Sequence, residues 1–320
     1  ACPVGSVTPC PVTPGTSNPI PATTFNNSTD IQQSITYSVT SSYLTCPGTG
    51  ATHTVTVNPV AKVTNFPMDQ TICSGATSNA VALTSNVTGA TFAWTASTTS
   101  PITGFTPTGT STIPAQTLLI PPGNTGAVTY SILPTFTNGP SCPGTAKDYK
   151  INVNPLPTPS ISGSAIVCEL QPTVVYTTPS VAGHSYQWTV TGATDVQNAT
   201  TNSVTVTWGP YTVSPGTLTV KETIDATGCP QTTPVYKVTL MQRPVPTLTG
   251  PQAVCDKSSG KVYQTESGMS NYQWTISGGA ITGGGAAGSP SATVTWNTPG
   301  SQWIQVNYVN ALGCPGFPAK

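Results

Sequence analysis

Charge is nearly missing from this chain. Of 320 residues, nine are Lys or Arg and nine are Asp or Glu, so charged residues make up 6%, where an ordinary soluble domain carries about a quarter. The formal net charge is zero and the cations are scattered. That removes the electrostatic case for nucleic acid or an anionic membrane surface as a partner. Low charge can also mark a membrane protein, but no apolar run approaches the ~20 residues of a spanning helix, so membrane insertion is not expected. Histidine is almost absent: His53 and His184 stand far apart, too few and too distant for a His-based catalytic centre. No Cys-x-x-Cys pair occurs, which leaves zinc ribbons and thioredoxin-like chemistry unsupported. The acidic residues never gather as Asp-x-Asp-x-Asp, which argues against a calcium-stiffened array. No catalytic, cofactor or metal site is expected, and the chain reads as a non-enzyme.

What is abundant is threonine, about a fifth of all residues, with 33 Pro and 30 Gly punctuating short Val/Ile/Thr runs. Threonine is β-branched and suits pleated, half-buried surfaces, so the composition reads as all-β. Apolar residues alternate with polar ones at period two in Val204, Val206, Trp208 and in Ala292, Val294, Trp296, the pattern of a half-buried strand. Similar runs are Ile35, Tyr37, Val39; Val128, Tyr130, Ile132; Leu218, Val220; and Ile304, Val306, Tyr308. Final strands are expected at His53–Val57, Tyr149–Val153 and Tyr236–Leu240. Six or seven short strands per ~90 residues fit a two-sheet sandwich.

One arrangement occurs three times: a cysteine, an aromatic-x-Trp about twenty residues on, and a later Cys-Pro. The copies are Cys73, Phe92-Ala93-Trp94, Cys142; Cys168, Tyr186-Gln187-Trp188, Cys229; and Cys255, Tyr272-Gln273-Trp274, Cys314. A fixed period of this length signals tandem domains. We place them at 1–58, 59–155, 156–243 and 244–320, joined by proline-rich links at Asn58-Pro59, Asn154-Pro155 and Arg243-Pro244. Such links are extended and semi-rigid, which predicts an elongated rod. The first unit lacks its opening strands, and the last stops before its final strand. This reads as a window cut from a longer repetitive polypeptide; the rival reading is that neighbouring subunits complete the open ends by strand addition.

Nine cysteines at repeated positions point to an oxidising compartment, outside the cell or at its surface. The simplest pairing lies within each unit: Cys73–Cys142, Cys168–Cys229 and Cys255–Cys314. Closing such loops is worth about 4 kcal/mol each on the chain-entropy model. Pairing across a junction, as in Cys142–Cys168, is the alternative. Cys46 then has no expected partner, while Cys2 and Cys10 are extras that can pair together. Trp94, Trp188 and Trp274 recur at equivalent positions, as core tryptophans do. Trp303 has no repeat counterpart and is the candidate for ligand contact by stacking. Gly283–Gly288 matches G-x-G-x-x-G but precedes a strand rather than a helix, so it is expected to be a hairpin loop. His53 is expected on a final strand and His184 in a solvated loop.

Taken together, the "TICSGATSNAVALTS" opening, the "IPAQTLLIPPGNTGAVTYSILPTFTNGPSCPG" stretch, the "YKINVNPLPTPSISG" joint and the "YQWTVTG…SVTVTW" and "YQWTISG…ATVTW" cores resemble the PKD-like and Ig-like repeats of large Bacteroidota surface proteins. The resemblance implies tandem β-sandwiches in an adhesin or gliding-associated protein exported by the type IX secretion system. It implies a role as stalk, spacer, adhesive surface or filament, with self-association or continuation in a longer chain, and no catalytic residues. The C-terminal sorting domain typical of that route is not visible. Two other readings stay open: an array that binds carbohydrate or a host surface through sandwich-tip loops, and accessory domains of a secreted enzyme.

Overall fold

The structure is a computed structural model that describes residues 7–9, 15, 19–65 and 68–317. The chain divides into two compact units, Ala1–Leu156 and Pro157–Lys320. Among the described residues the regular structure is β throughout, apart from the short 3-10 turn Tyr211–Val213. The repeated alternation of apolar and polar residues is therefore realised as tandem β-sandwich domains.

In the first unit the short pair Val7–Thr8 with Asn26–Asn27 precedes a long hairpin, Gln33–Tyr43 against Cys46–Val57, in register from Gln33 opposite Val57 to Tyr43 opposite Cys46. Of the apolar run expected to face inward, only Ile35 is buried, whereas Val39 is half exposed. Among the described residues this hairpin forms a two-stranded sheet of its own, and a two-stranded ribbon buries little of its alternating face. A full sandwich follows. Gln70–Cys73 pairs in parallel with Lys147–Asn154, which runs antiparallel to Gly126–Phe136, and Ala90–Thr98 lies beyond that. Trp94, Tyr130, Tyr149 and Ile151 fill its core with Ile113 and Leu118 from the opposite layer.

The second unit holds two sandwiches of one design. In the first, Ile166–Cys168 pairs in parallel with Tyr236–Met241, which pairs antiparallel with Gly216–Ile224, and His184–Thr191 lies on the far side. The facing sheet is Val174–Thr177, Ser203–Trp208 and Ala193–Gln197. The second sandwich repeats that sheet as Lys261–Gln264, Ser291–Trp296 and Gly279–Gly284. Opposite it stand only Ser270–Ser277 and Trp303–Val309, so among the described residues this sheet has two strands where its sister has four in line. The Gly283–Gly288 segment turns from Gly279–Gly284 into Ser291–Trp296, a hairpin loop as the pattern suggests.

Shared details show that the two cores are one solution used twice. The Trp208 indole N–H donates to the Tyr176 hydroxyl at 3.2 Å, and Trp296 donates to Tyr263 at the same distance. The rings stand edge to face at 6.0 and 6.1 Å, a favoured aromatic geometry. Gly163 and Gly250 lie under the two tyrosines, where a Cβ would stand 2.2 and 2.4 Å from ring carbon Cδ1. Any side chain there would push the tyrosine out of the core.

The last sandwich is also pinned by one carboxylate. Glu266 accepts from the Thr247 hydroxyl at 2.5 Å and backbone N–H at 3.1 Å, the Thr265 hydroxyl at 2.7 Å and the Tyr308 hydroxyl at 2.9 Å, tying the entering chain to the strand Trp303–Val309. Partial desolvation pushes its carboxyl up, but these donors outweigh it and hold the group at about 2. The folded value lies below the unfolded one, so the stabilisation is present above the ordinary carboxylate range and is lost as pH falls from about 5 to 2. Thermal melts followed by tryptophan fluorescence should show stability declining through that window. Glu266→Gln should be less stable than the parent at pH 7 and should lose much of this pH dependence.

Candidate functional site: a disulfide-locked domain junction

The junction inside the second unit grows from a turn at the end of Ile166–Cys168. Leu170 adopts a left-handed conformation, φ 54°, and the Gln171 N–H returns to the Cys168 carbonyl at 3.3 Å. A non-glycine residue in this region is uncommon and marks a position fixed by its surroundings. Here the Leu170 N–H donates to Gly209 O at 3.1 Å, and the Gln171 carbonyl accepts from the Trp208 N–H at 3.1 Å. The turn aims Cys168 at the following sandwich, where it bonds to Cys314 with a Cα–Cα distance of 5.6 Å.

Polar contacts surround that bond. Glu169 is 9% exposed, and its carboxylate accepts the backbone N–H groups of Tyr211 and Arg243, each at 2.8 Å. Burying a carboxylate is tolerable when several donors satisfy it, and charge-assisted bonds of this kind are the stronger class. Arg243 then reaches forward. Its Nε donates to Pro315 O at 2.8 Å, its Nη2 donates to Gly316 O at 3.1 Å, and the guanidinium lies 4.5 Å from the Phe317 ring centre. The linker residue before the proline thus clamps the Cys-Pro turn of the next domain. In the first unit Asn58 takes that place, donating to Pro140 O at 3.1 Å beside Cys142.

This arrangement corrects the pairing expected from the sequence. Cys168 is bonded to Cys314 rather than Cys229. Cys255 is a free, exposed thiol rather than the partner of Cys314, and Cys142 is free and half-buried rather than bonded to Cys73. Cys73 and Cys229 are themselves disulfide-bonded, and Cys46 is free and exposed. Cys2 and Cys10 lie outside the described residues. Topology explains the correction. Cys168 stands beside Met241, at the exit end of its sandwich, whereas Cys229 stands beside Ile224, at the other end of the strand Gly216–Ile224. Those nine residues span roughly 27 Å at about 3.4 Å each, and a disulfide needs its Cα atoms within about 7 Å. An opening cysteine can therefore reach a Cys-Pro turn of the following domain and not its own.

Trp94, Trp188 and Trp274 are core residues, 3–9% exposed. Trp303 is 50% exposed and lines a groove of about 730 Å³ in the last sandwich with Cys255, Tyr263 and Trp296. His53 sits on the strand Cys46–Val57 opposite Tyr37. His184 is not a loop residue: it begins the strand His184–Thr191, and its Nδ1 lies 2.6 Å from Glu222 Oε1. Sequence reasoning missed Glu169 and Arg243. Their signal was position, since a charge directly follows the opening cysteine and another directly precedes the linker proline in a chain with so few charges.

Comparison with known families agrees with this repeated architecture. One model of a PKD-like domain matches residues 70–157, and a second matches 154–238 and 241–317. The chain belongs to the PKD-like domain family. A comparison with curated protein sequences finds no match. Among solved structures, Drosophila N-cadherin EC1-4 is 12% identical with a TM-score of 0.26, over 90% of this chain and 82% of that one. The N-terminal eight Ig domains of Down Syndrome Cell Adhesion Molecule are 10% identical with a TM-score of 0.30, over 85% and 44%. A Bacteroides ovatus mixed-linkage glucan utilization protein, SGBP-B, is 16% identical with a TM-score of 0.20, over 81% and 67%. Likenesses this distant add nothing to the family assignment. The PKD-like domains and their disulfides fit an extracellular protein, and among the described residues no helix is long and apolar enough to cross a membrane.

Peptide mapping of the oxidised chain without reduction should recover Cys168 joined to Cys314, with Cys46 and Cys255 open to maleimide in the folded protein. The bond encloses 146 residues, for which the chain-entropy model gives about 5 kcal/mol. Cys314→Ser should lower the unfolding free energy of the second unit by an amount of that order, read from denaturant titrations. Recovery of Cys168–Cys229 would refute the assignment.

Proposed function

We propose that this array of PKD-like domains is a non-enzymatic extracellular structural element, the stalk or repeating body of a surface adhesin or filament. The observation that carries the reading is the Cys168–Cys314 bond with the Arg243 clamp beside it. Both hold one domain to the next, and neither builds a pocket around a reacting atom. A stalk transmits load, and a bond that spans a domain boundary resists separation of the domains as well as unfolding. The resemblance to repeats of Bacteroidota surface proteins supports export to the cell surface, and the type IX route is the one that resemblance implies.

Single-molecule extension tests the mechanical role. Fully stretched chain spans about 3.5 Å per residue, so the 146 residues enclosed by Cys168–Cys314 represent roughly 500 Å that cannot extend while the bond is intact. Full unfolding in reductant should release at least that much additional length. Equal lengths with and without reductant would contradict the role.

The exposed Trp303 beside its groove favours a second reading, in which the last domain stacks against a sugar ring or another flat surface ligand. Glycan-array binding that is lost in Trp303→Ala would establish it, and no binding by the intact chain would dismiss it.

A further inference from the structure

The turn that carries Cys255 has the build of the turn that carries Cys168. Lys257 adopts φ 58° where Leu170 adopts φ 54°. The Ser258 N–H returns to Cys255 O at 3.1 Å, as Gln171 does to Cys168, and the Ser258 carbonyl accepts the Trp296 N–H at 3.0 Å, as Gln171 does from Trp208. An acid follows each cysteine, Glu169 in one case and Asp256 in the other. The last domain therefore presents its opening cysteine in the attitude from which Cys168 captures a Cys-Pro turn. Here the thiol is free and exposed, on the rim of an open groove.

The complementary element lies at the other end of the same chain. Cys314-Pro315-Gly316 is the turn captured by Cys168, and Cys46-Pro47-Gly48 repeats its sequence at the tip of the first hairpin. Cys46 is free and exposed, and its neighbours Tyr43 and Leu44 are 81% and 86% exposed. The third Cys-Pro-Gly, at Cys142, also carries a free thiol, but that thiol is half-buried where Cys46 is exposed. Gln32 donates to Asn138 O at 2.9 Å, and Asn58 donates to Pro140 O at 3.1 Å and approaches the Cys142 sulfur at 3.6 Å. Among the described residues, Cys255 is the exposed free opening cysteine and Cys46 the exposed free Cys-Pro-Gly cysteine, and the two match.

We infer that the Cys255 surface docks the Cys46-Pro47-Gly48 hairpin tip of a second copy of this chain, joining copies head to tail by a Cys255–Cys46 disulfide. The contact continues across copies the junction seen at Cys168–Cys314. It is heterologous, so it propagates as an open fibre unless the rotation closes a ring. The inference rests on the reading of the array as a repeating body. The two thiols each give up a proton and an electron as the S–S bond forms, and a small-molecule disulfide such as oxidised glutathione accepts them and leaves as two thiols.

The test uses the whole chain in a glutathione redox buffer, read by non-reducing electrophoresis, light scattering and peptide mass spectrometry. A reducible ladder whose linking peptide joins Cys255 to Cys46 is expected. Cys255→Ser and Cys46→Ser should each cut the cross-linked fraction at least tenfold, while Cys142→Ser leaves the ladder in place. Both altered thiols are exposed, and an unchanged fluorescence melt verifies that each variant folds. A monomer with free or glutathione-capped thiols overturns the inference, as does a ladder linked through Cys142 or through Cys255 to itself. Those outcomes leave the stalk reading standing, because the extension measurement on a single chain decides it separately.

Discussion

The parallel pairing of opening strand with final strand, seen in the two complete sandwiches, is the constraint on which the rest depends. Because Ile166–Cys168 runs alongside Tyr236–Met241 in the same direction, the opening cysteine emerges where the chain leaves the domain. The Cys-Pro hairpin emerges where the chain enters. A sandwich built this way carries a thiol at each end and cannot join its own two, so covalent closure becomes a property of neighbours. Linker prolines, the carboxylate that pins the linker and the guanidinium that reaches forward all act within the few residues where exit and entry meet.

Much of this was readable in advance, and what was not has a definite cause. Period-two alternation located the strands Ser203–Trp208 and Ser291–Trp296, and the repeated aromatic-x-Trp located core residues, because side-chain period and burial are local consequences of pleat. Disulfide pairing is not local. It depends on whether the opening strand joins its sheet in parallel, and Ala-Ile-Val-Cys reads the same either way. The hairpin Gln33–Val57 shows the converse limit: Ile35, Tyr37 and Val39 alternate as in the sister strands, yet burial requires an opposing layer that alternation does not announce. Glu169 and Arg243 were visible as isolated charges, but their pairing through backbone and turn carbonyls follows only from the junction's geometry.

The scarcity of charge acquires a meaning once the positions of the acids are known. Asp69 accepts the Lys150 N–H, Glu169 accepts those of Tyr211 and Arg243, and Glu266 accepts that of Thr247. Each carboxylate fixes backbone in a distant segment, two of them across more than seventy residues. A hydroxyl offers one oxygen and a weaker bond, whereas an ionised carboxylate offers two strongly accepting oxygens to neutral N–H donors. In a chain with so few charges, these three acids act as fixed points for backbone rather than as solubilising surface charge.

Linking one domain to the next, rather than to itself, changes what a pulling force must do. With an internal disulfide, a domain keeps a shortened loop when it unfolds, but its neighbour is attached only by the linker peptide. With Cys168–Cys314 the load path at the junction is doubled, through the peptide at Arg243-Pro244 and through the sulfur bridge, and separating the domains requires the intervening 146 residues to unravel inside a closed loop. Loop-closure entropy then favours re-docking after every partial opening, because the ends stay together. The Arg243 contacts to Pro315 and Gly316 would be weak as an isolated surface interaction. Held in place by the covalent bond, they need only set orientation, and a few short-range polar contacts are enough for that.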